Sequence, residues 1–120
     1  MREDETTMGP SAARAKAAPR PTLRFVFSGA APSTEQHALR PGTTLVGRSV
    51  DSVLGIKIET DPRVSREHAA IVVDGERVRV VNQSQHGTLR NGARVEDAVL
   101  DDGDVLQLGD SFAVFRLVPA

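Results

Sequence analysis

Short apolar segments with a two-residue period, separated by turn-forming dipeptides, are the feature of this sequence that most restricts its possible folds. Over 22–27, every second position is a large apolar residue: Leu23, Phe25 and Phe27. The same period recurs in three further segments: 77–80, 105–108 and 112–118. Because successive side chains of a β-strand point to opposite faces of a sheet, this period indicates half-buried strands.

Three dipeptides between these segments favour tight turns: Asp74-Gly75, Asn91-Gly92 and Asp102-Gly103. Asn, Asp and Gly tolerate the positive φ angles of two-residue hairpin loops, so each dipeptide predicts a hairpin. No segment keeps a 3.6-residue period, so we expect helices to be few and short. Short strands at intervals of roughly 8–12 residues predict an all-β fold, an antiparallel sandwich or barrel.

The composition excludes several classes of protein. The 120 residues allow one domain, and 15 Lys and Arg against 16 Asp and Glu give no basic surplus for nucleic acid. Four Phe are the only aromatic residues, which leaves few surfaces for base stacking. The absence of Cys excludes disulfides and Cys-ligated metals. No apolar run approaches the ~18–20 residues of a membrane span, so we expect a soluble, cytoplasmic monomer that binds no membrane.

The chain divides near residue 21. Residues 1–21 contain two Met as their only large apolar side chains, together with three Pro and five Ala. Such a segment cannot bury enough apolar surface to offset the entropy of ordering it. We therefore predict a disordered tail over 1–21 and a folded domain over 22–119.

Three polar segments between the apolar runs carry the most informative residues: Gly47-Arg48-Ser49, Val64 to His68, and Asn82 to Gly92. In this order they resemble the forkhead-associated (FHA) domain family, whose pattern is Gly-Arg, then Ser-Arg-x-His, then Asn-Gly-Thr followed by x-x-Asn-Gly. The segment 100–109 also matches the usual end of that family. The resemblance covers residues 22–118.

The resemblance implies a β-sandwich of about 11 mostly antiparallel strands that binds phosphothreonine peptides through loops at one end. It assigns phosphate binding to Arg48, Ser65 and Arg66, and contact with the peptide to Gln85 and His86. These residue types suit the ligand, because a phosphothreonine carries nearly two negative charges and three acceptor oxygens. Guanidinium, hydroxyl and N–H donors that converge on it can form charge-assisted hydrogen bonds.

Seven further motif residues are interpreted as mainly structural: Gly47, His68, Asn82, Gly87, Thr88, Asn91 and Gly92. The glycines permit unusual backbone angles. We expect His68 to brace the binding loops through hydrogen bonds. Asn82 stands where the family often has Asp and is expected to pin the loop that follows it.

His86 is a departure from the family pattern, which usually has Asn before Gly-Thr. In the family that Asn holds the backbone of the bound peptide with one donor and one acceptor. A neutral His also offers one donor and one acceptor, but on a larger and rigid ring. A protonated His brings two donors and a positive charge. We expect phosphate binding to be retained and peptide anchoring to be altered, weaker or pH-sensitive.

Catalytic and metal-binding interpretations are not favoured. Ser65 and His68 lack an acid partner and a Gly-x-Ser-x-Gly motif, which argues against a hydrolase. His37, His68 and His86 lack metal-ligand spacing. The Asp-Asp-Gly-Asp segment 101–104 lacks the terminal Glu of an EF-hand loop and is interpreted as a hairpin turn. We expect no enzyme activity, no metal and no cofactor.

The sequence therefore predicts a phosphothreonine-binding module in bacterial Ser/Thr-kinase signalling, with a phosphorylated protein, such as a Ser/Thr kinase, as partner. The chain is either a small protein or the N-terminal module of a larger signalling or transcription regulator. One alternative is a phosphate-independent scaffold that binds a partner through its sheet face. Another is self-inhibition, because Thr6 and Thr7 follow an acidic run and resemble an N-terminal Glu-Thr-Thr that binds its own domain when phosphorylated in some bacterial relatives. An ordinary linker is the simpler interpretation of this segment.

Overall fold

Two β-sheets packed face to face form the structure, a computed structural model that describes residues 19–119. Within these residues no helix occurs, which confirms the predicted all-β sandwich. The described residues contain twelve strands: β1 (Arg20–Ser28), β2 (Ala31–Pro32), β3 (Gln36–Ala38), β4 (Gly42–Gly47), β5 (Ile56–Lys57), β6 (Ala69–Asp74), β7 (Arg77–Asn82), β8 (Thr88–Arg90), β9 (Ala93–Val95), β10 (Asp97–Val99), β11 (Val105–Leu108) and β12 (Ser111–Val118). None of the described segments is a helix that could cross a membrane.

The two sheets differ in size and share one core. The first sheet has the order β9-β8-β11-β12-β1-β2, and β3 pairs with β1 beside β2. The second sheet has the order β10-β7-β6-β4-β5, in which the short β4–β5 pair is the one parallel pair. Residues that alternate along the strands fill the space between the sheets, as the two-residue period predicts. The core includes Leu23, Phe25, Leu106, Leu108 and Phe115 from the first sheet, and Val46, Ile71, Val78 and Val80 from the second.

A bulge in β1 overturns the expected burial of Phe27. Phe25 pairs with Ala113 and Phe27 with Phe112, so Val26 is an extra residue in the ladder between β1 and β12. An extra residue reverses the faces of the side chains that follow it. Phe27 is therefore 40% exposed and stacks edge to face against Phe112, with their ring centroids 6.4 Å apart.

The three turn dipeptides have three different outcomes. Asn91 and Gly92 form the two-residue loop between β8 and β9, and both have positive φ. The hairpin between β6 and β7 also exists, but its loop is Gly75-Glu76, one residue later than Asp74-Gly75. The predicted hairpin at 101–104 is wrong. That segment turns at Gly103 but connects β10 in the second sheet with β11 in the first.

The first strand begins two residues before the predicted domain boundary. Arg20 pairs with Val118 and Pro21 with Leu117, so these residues belong to the first sheet. Residues 1–18, which include Thr6 and Thr7, lie outside the described residues.

The strand directions define two ends of the sandwich. β12 starts after the Gly109-Asp110 turn and ends at Val118, beside Arg20. β4 ends with Gly47 at the same end of the sandwich as the Gly109-Asp110 turn, because Gly109 packs against Arg63 in the loop that bonds to Arg48. The segments predicted to bind phosphate therefore lie at the end of the sandwich opposite Arg20 and Val118.

Candidate functional site

Backbone hydrogen bonds join the Gly-Arg and Ser-Arg-x-His segments directly. The N–H of Arg48 donates to the carbonyl of Ser65 (2.9 Å), and the N–H of Ser49 donates to that of Arg66 (3.1 Å). The side chain of Arg48 is half-buried, and its Nε donates to the carbonyl of Val64 (3.0 Å). This bond orients the guanidinium, and within the described residues no acceptor bonds to its two Nη groups.

Buried His68 connects the loop that contains Ser65 with the loop between β7 and β8. The N–H of Ser65 donates to Nδ1 of His68 (3.0 Å), while Nε2 of His68 bonds to the carbonyl of Gly87 (2.7 Å). Since Nδ1 accepts, the ring proton resides on Nε2 and the imidazole is neutral. Burial lowers the pKa of His68 below its ordinary value of 6.5, although the hydrogen bond to Gly87 acts in the opposite direction.

We predict that the stability of the fold decreases as His68 becomes protonated in the unfolded chain. The pKa of His68 is lower in the folded state than in the unfolded chain. The contribution of His68 to the free energy of unfolding is therefore fully present above about pH 6.5 and decreases as the pH falls below that value. Urea denaturation at pH 7.5 and pH 5.5 measures this change. The His68→Asn variant should lose about 2 kcal/mol of unfolding free energy at pH 7.5 and show a weaker pH dependence. An equal pH dependence in both chains would contradict the prediction.

Asn82 fixes the loop between β7 and β8 from its first residue. Its Nδ2 donates to the carbonyl of Ser84 (2.9 Å), and its Oδ1 accepts from the N–H of Ser84 (3.2 Å) and the hydroxyl of buried Thr88 (2.9 Å). The same Nδ2 also contacts Glu96 (3.2 Å), whose pKa is lowered mainly by this hydrogen bond. Asn82 therefore holds both ends of the loop.

The exposed residues of this loop face outward from the fixed backbone. Gln85 and His86 are both exposed, next to buried Gly87. A groove of about 180 Å³ lies beside them and is lined by Arg63, His86, Gly87, Leu89, Gln107 and Gly109. The guanidinium of Arg63 is 3.8 Å from the carboxylate of Asp110 and is largely exposed, so the groove has a cation at its edge.

Asn91 and Gly92 belong to a different part of the molecule. They lie at the far end of β8 from Thr88, where Asn91 bonds through its Nδ2 to Asp104 (2.9 Å) and through its Oδ1 to the N–H of Val105 (2.9 Å). The structure therefore gives them a role in the β8–β9 turn and does not bring them to the loops of Arg48 and Ser65.

Two residues at this end of the sandwich were not singled out from the sequence. Ser84 is 5% exposed, and its hydroxyl lies 2.5 Å from that of Ser65. Asp61 is fully buried and accepts hydrogen bonds from Arg63 N–H (2.9 Å), Asp110 N–H (2.8 Å) and the Ser111 hydroxyl (2.7 Å). The signal for Ser84 is its position two residues before His86, because serine hydroxyls often accept from the N–H two residues on.

The arrangement offers several hydrogen-bond donors to an anion and no cluster of metal ligands. Backbone hydrogen bonds join the two loops that carry Arg48 and Ser65. The N–H of Arg66 has no acceptor among residues 19–119. Within the same residues no three His, Asp or Glu side chains come close enough to hold a metal. The fold and these loops define a class of protein, a β-sandwich interaction module with donor groups at one end.

The family model of the FHA domain matches residues 44–109, more than half of the chain, and the chain therefore belongs to the FHA domain family. One similar structure comes from a structural and functional study of phosphothreonine-dependent FHA domain interactions. It is 32% identical, has a TM-score of 0.73, and the match covers 84% of this chain and 99% of that one. Another is the FHA domain of FhaA complexed with the intracellular domain of Rv3910, with 33% identity, a TM-score of 0.71 and coverage of 80% and 99%.

The curated relatives are longer proteins. The ABC transporter ATP-binding/permease protein Rv1747 of Mycobacterium tuberculosis is 40% identical over 79 residues, which represent 64% of this chain and 9% of that protein. The chain spans 9–17% of the length of the first curated relatives it matches.

Proposed function

We propose that this chain is a non-enzymatic phosphothreonine-binding module that binds a phosphorylated protein through the loops of Arg48 and Ser65. The observation that carries the proposal is the pair of backbone hydrogen bonds between these loops, which places both residues at one end of the sandwich. Membership of the FHA family and the similarity to a domain studied for phosphothreonine-dependent interactions support it.

The donors in these loops match the charge of the ligand. The Nη groups of Arg48 can bond to two phosphate oxygens, and a charge-assisted bond of this kind contributes about 1.5–3 kcal/mol. The hydroxyl of Ser65 can donate to a phosphate oxygen. Arg66 is exposed and adds its backbone N–H and a second positive charge. Gln85 and His86 then lie beside the bound peptide rather than the phosphate.

A degenerate peptide library with a fixed phosphothreonine tests the function and gives the sequence preference. The tightest-binding sequence is then titrated by calorimetry in its phosphorylated and unphosphorylated forms. We expect binding of the phosphorylated form and no measurable binding of its unmodified twin. Equal affinity for both forms would contradict the proposal.

His86 is predicted to change how the bound peptide is anchored, because its ring is larger and more rigid than the Asn side chain that the family usually has at this position. Titration of the wild-type chain and the His86→Asn variant with the same phosphopeptide, at pH 6 and at pH 8, tests this prediction. We expect the two affinities to differ while both chains keep their preference for the phosphorylated form. Equal affinity of the two chains at both pH values would show that His86 has no special role.

The phosphate-independent scaffold remains an alternative with one observation in its favour. Apolar side chains lie on the outer face of the first sheet, where Val26 is 44%, Phe27 40% and Val105 36% exposed. Such a surface can bind a partner without phosphate. Adding phosphatase to a pull-down distinguishes the two functions, because it removes only a partner that is held through its phosphate.

Self-inhibition by phosphorylated Thr6 or Thr7 is compatible with the dimensions of the chain. The 13 residue steps from Thr7 to Arg20 span up to roughly 43 Å, and the nine-residue strand β1 covers roughly 30 Å of the distance to the loops. The mechanism would be a high local concentration of the phosphothreonine. Phosphorylation that leaves the chemical shifts of Arg48 and Ser65 unchanged would contradict it. We also keep two earlier predictions as proposals: the N-terminal tail predicted over 1–21, of which Arg20 and Pro21 belong to β1, and a role as the N-terminal module of a larger regulator.

A further inference from the structure

The buried hydroxyl of Ser84 has an arrangement of hydrogen bonds that the family motifs do not account for. Its Oγ accepts from the backbone N–H of His86 (3.0 Å) and lies 2.5 Å from Oγ of Ser65. Ser84 is 5% exposed, whereas Ser65 is partly exposed at the surface of the binding loops. The two serines belong to different loops and are 19 positions apart in the sequence.

The burial of Ser84 determines the direction of the hydrogen bond between the two serines. A hydroxyl has one proton to donate and two lone pairs to accept. Because the N–H of His86 can only donate, it occupies a lone pair of the Ser84 hydroxyl. The hydroxyl proton of Ser84 then needs an acceptor of its own. A buried proton without an acceptor is costly, and Oγ of Ser65 is the acceptor that lies within reach. Ser84 therefore donates to Ser65.

The proton of Ser65 is then free to point outward. Its own backbone N–H is already bonded to His68, so that group does not compete for the hydroxyl. The result is a chain of donors that runs from the N–H of His86 through Ser84 to Ser65 and out of the protein. In such a chain each bond polarises the next, which makes the last hydroxyl a better donor.

We propose that Ser84 is a positioning residue that makes Ser65 a committed hydrogen-bond donor to the phosphate, an inference that rests on the proposed function. Without Ser84, the Ser65 hydroxyl can rotate and donate its hydrogen bond to other acceptors or to water. Ser84 itself does not touch the ligand. His86 takes part in this chain of hydrogen bonds through its backbone N–H and not through its side chain.

The competing explanation is that Ser84 only stabilises the loop between β7 and β8. Thr88 provides a matched control, because it is the buried first residue of β8, directly after this loop, and its hydroxyl donates to Oδ1 of Asn82 (2.9 Å) rather than to either serine. The Thr88→Val variant therefore loosens the loop and leaves the bond between Ser65 and Ser84 in place.

A double-mutant cycle on phosphopeptide affinity tests the proposal. The probe is the tightest-binding peptide from the phosphothreonine library, titrated against the wild-type chain, Ser65→Ala, Ser84→Ala and the double variant. We expect Ser65→Ala to weaken binding about tenfold and Ser84→Ala about fivefold. In the Ser65→Ala background, the Ser84→Ala change should have less than about a twofold effect. The effect of Thr88→Val should be the same in both backgrounds.

The measurements distinguish a failure of the Ser84 proposal from a failure of the proposed function. If Ser84→Ala has no effect, or its full effect persists without the Ser65 hydroxyl, the proposal is overturned. If the wild-type chain binds the phosphorylated and unmodified peptides equally, the proposed function fails instead. The Ser84→Cys variant keeps the size of the side chain and donates only weakly, so it repeats the cycle if Ser84→Ala does not fold. It is expected to show coupling to Ser65 of the same sign.

Discussion

Replacement of Arg48 with alanine is expected to weaken the binding of a phosphothreonine peptide about 100-fold and to leave the fold intact. The guanidinium is half-buried, and the bond from Nε to the carbonyl of Val64 fixes its orientation before any ligand arrives. Two charge-assisted bonds from its Nη groups would together contribute about 3 kcal/mol, which corresponds to a factor of roughly 150 in affinity. Calorimetric titration of both chains with the same peptide measures this difference.

Two further variants separate the geometry of Arg48 from its charge. Arg48→Lys keeps the charge but loses the planar pair of Nη donors, so we expect it to recover only part of the affinity. Arg77→Ala removes an exposed arginine beside the β6–β7 turn, at the opposite end of the sandwich, and should bind like the wild-type chain. If Arg77→Ala weakens binding as much as Arg48→Ala, the loss of affinity comes from the change in net charge. The assignment of phosphate binding to Arg48 is then wrong.

The period of apolar residues was sufficient to predict β1, β7, β11 and β12, because it is a local property of these segments. Leu106 and Leu108 are buried and alternate with the more exposed Val105 and Gln107, as the sequence indicates. Phe27 has the same local pattern, yet the bulge at Val26 turns it outward. A bulge depends on how the ladder between β1 and β12 closes, and the sequence of β1 alone does not specify this.

The turn at 101–104 shows that local sequence also does not determine which strands a turn connects. Asp102-Gly103 correctly indicates a turn, because Gly103 has a φ of 92°. The local chemistry does not determine which strands pair on either side, and the residues that follow enter the other sheet. Asp102 instead bonds to Arg116 (3.0 Å) and to the N–H of Leu117 (2.9 Å), which lie far along the chain. Long-range contacts of this kind decide the topology.

The sequence motifs single out the candidate residues Arg48 and Ser65. They do not single out the buried residues that support the loops of the candidate site. Arg48 and Ser65 belong to polar motifs whose order in the chain indicates one binding surface. Ser84 and Asp61 are single polar residues without such a context. Their importance comes from burial against another loop, which a sequence pattern does not contain.

Gly47→Ala is expected to reduce both stability and phosphopeptide affinity, because this position has no space for a side chain. A Cβ there would overlap the carbonyl oxygen of Arg66 and lie 2.8 Å from its carbonyl carbon and 2.9 Å from Cα of Glu67. All three atoms belong to the backbone, so no side-chain rotation can relieve the overlap. The loops of Arg48 and Ser65 must move apart, at a cost of about 3 kcal/mol.

Thermal unfolding and peptide titration together measure the consequence of this separation. We expect the unfolding midpoint of Gly47→Ala to fall by roughly 10–20 °C and the phosphopeptide affinity to fall at least about tenfold, because the hydrogen bonds that align the two loops lengthen. Gly42→Ala is the matched control in the same strand. A Cβ at Gly42 meets no atom within 4 Å, and its φ of 97° costs only about 1–2 kcal/mol. This control should lose stability but keep its affinity, because it lies at the far end of β4 from Arg48. If Gly47→Ala binds the phosphopeptide like the control, close contact between the two loops is not what assembles the site.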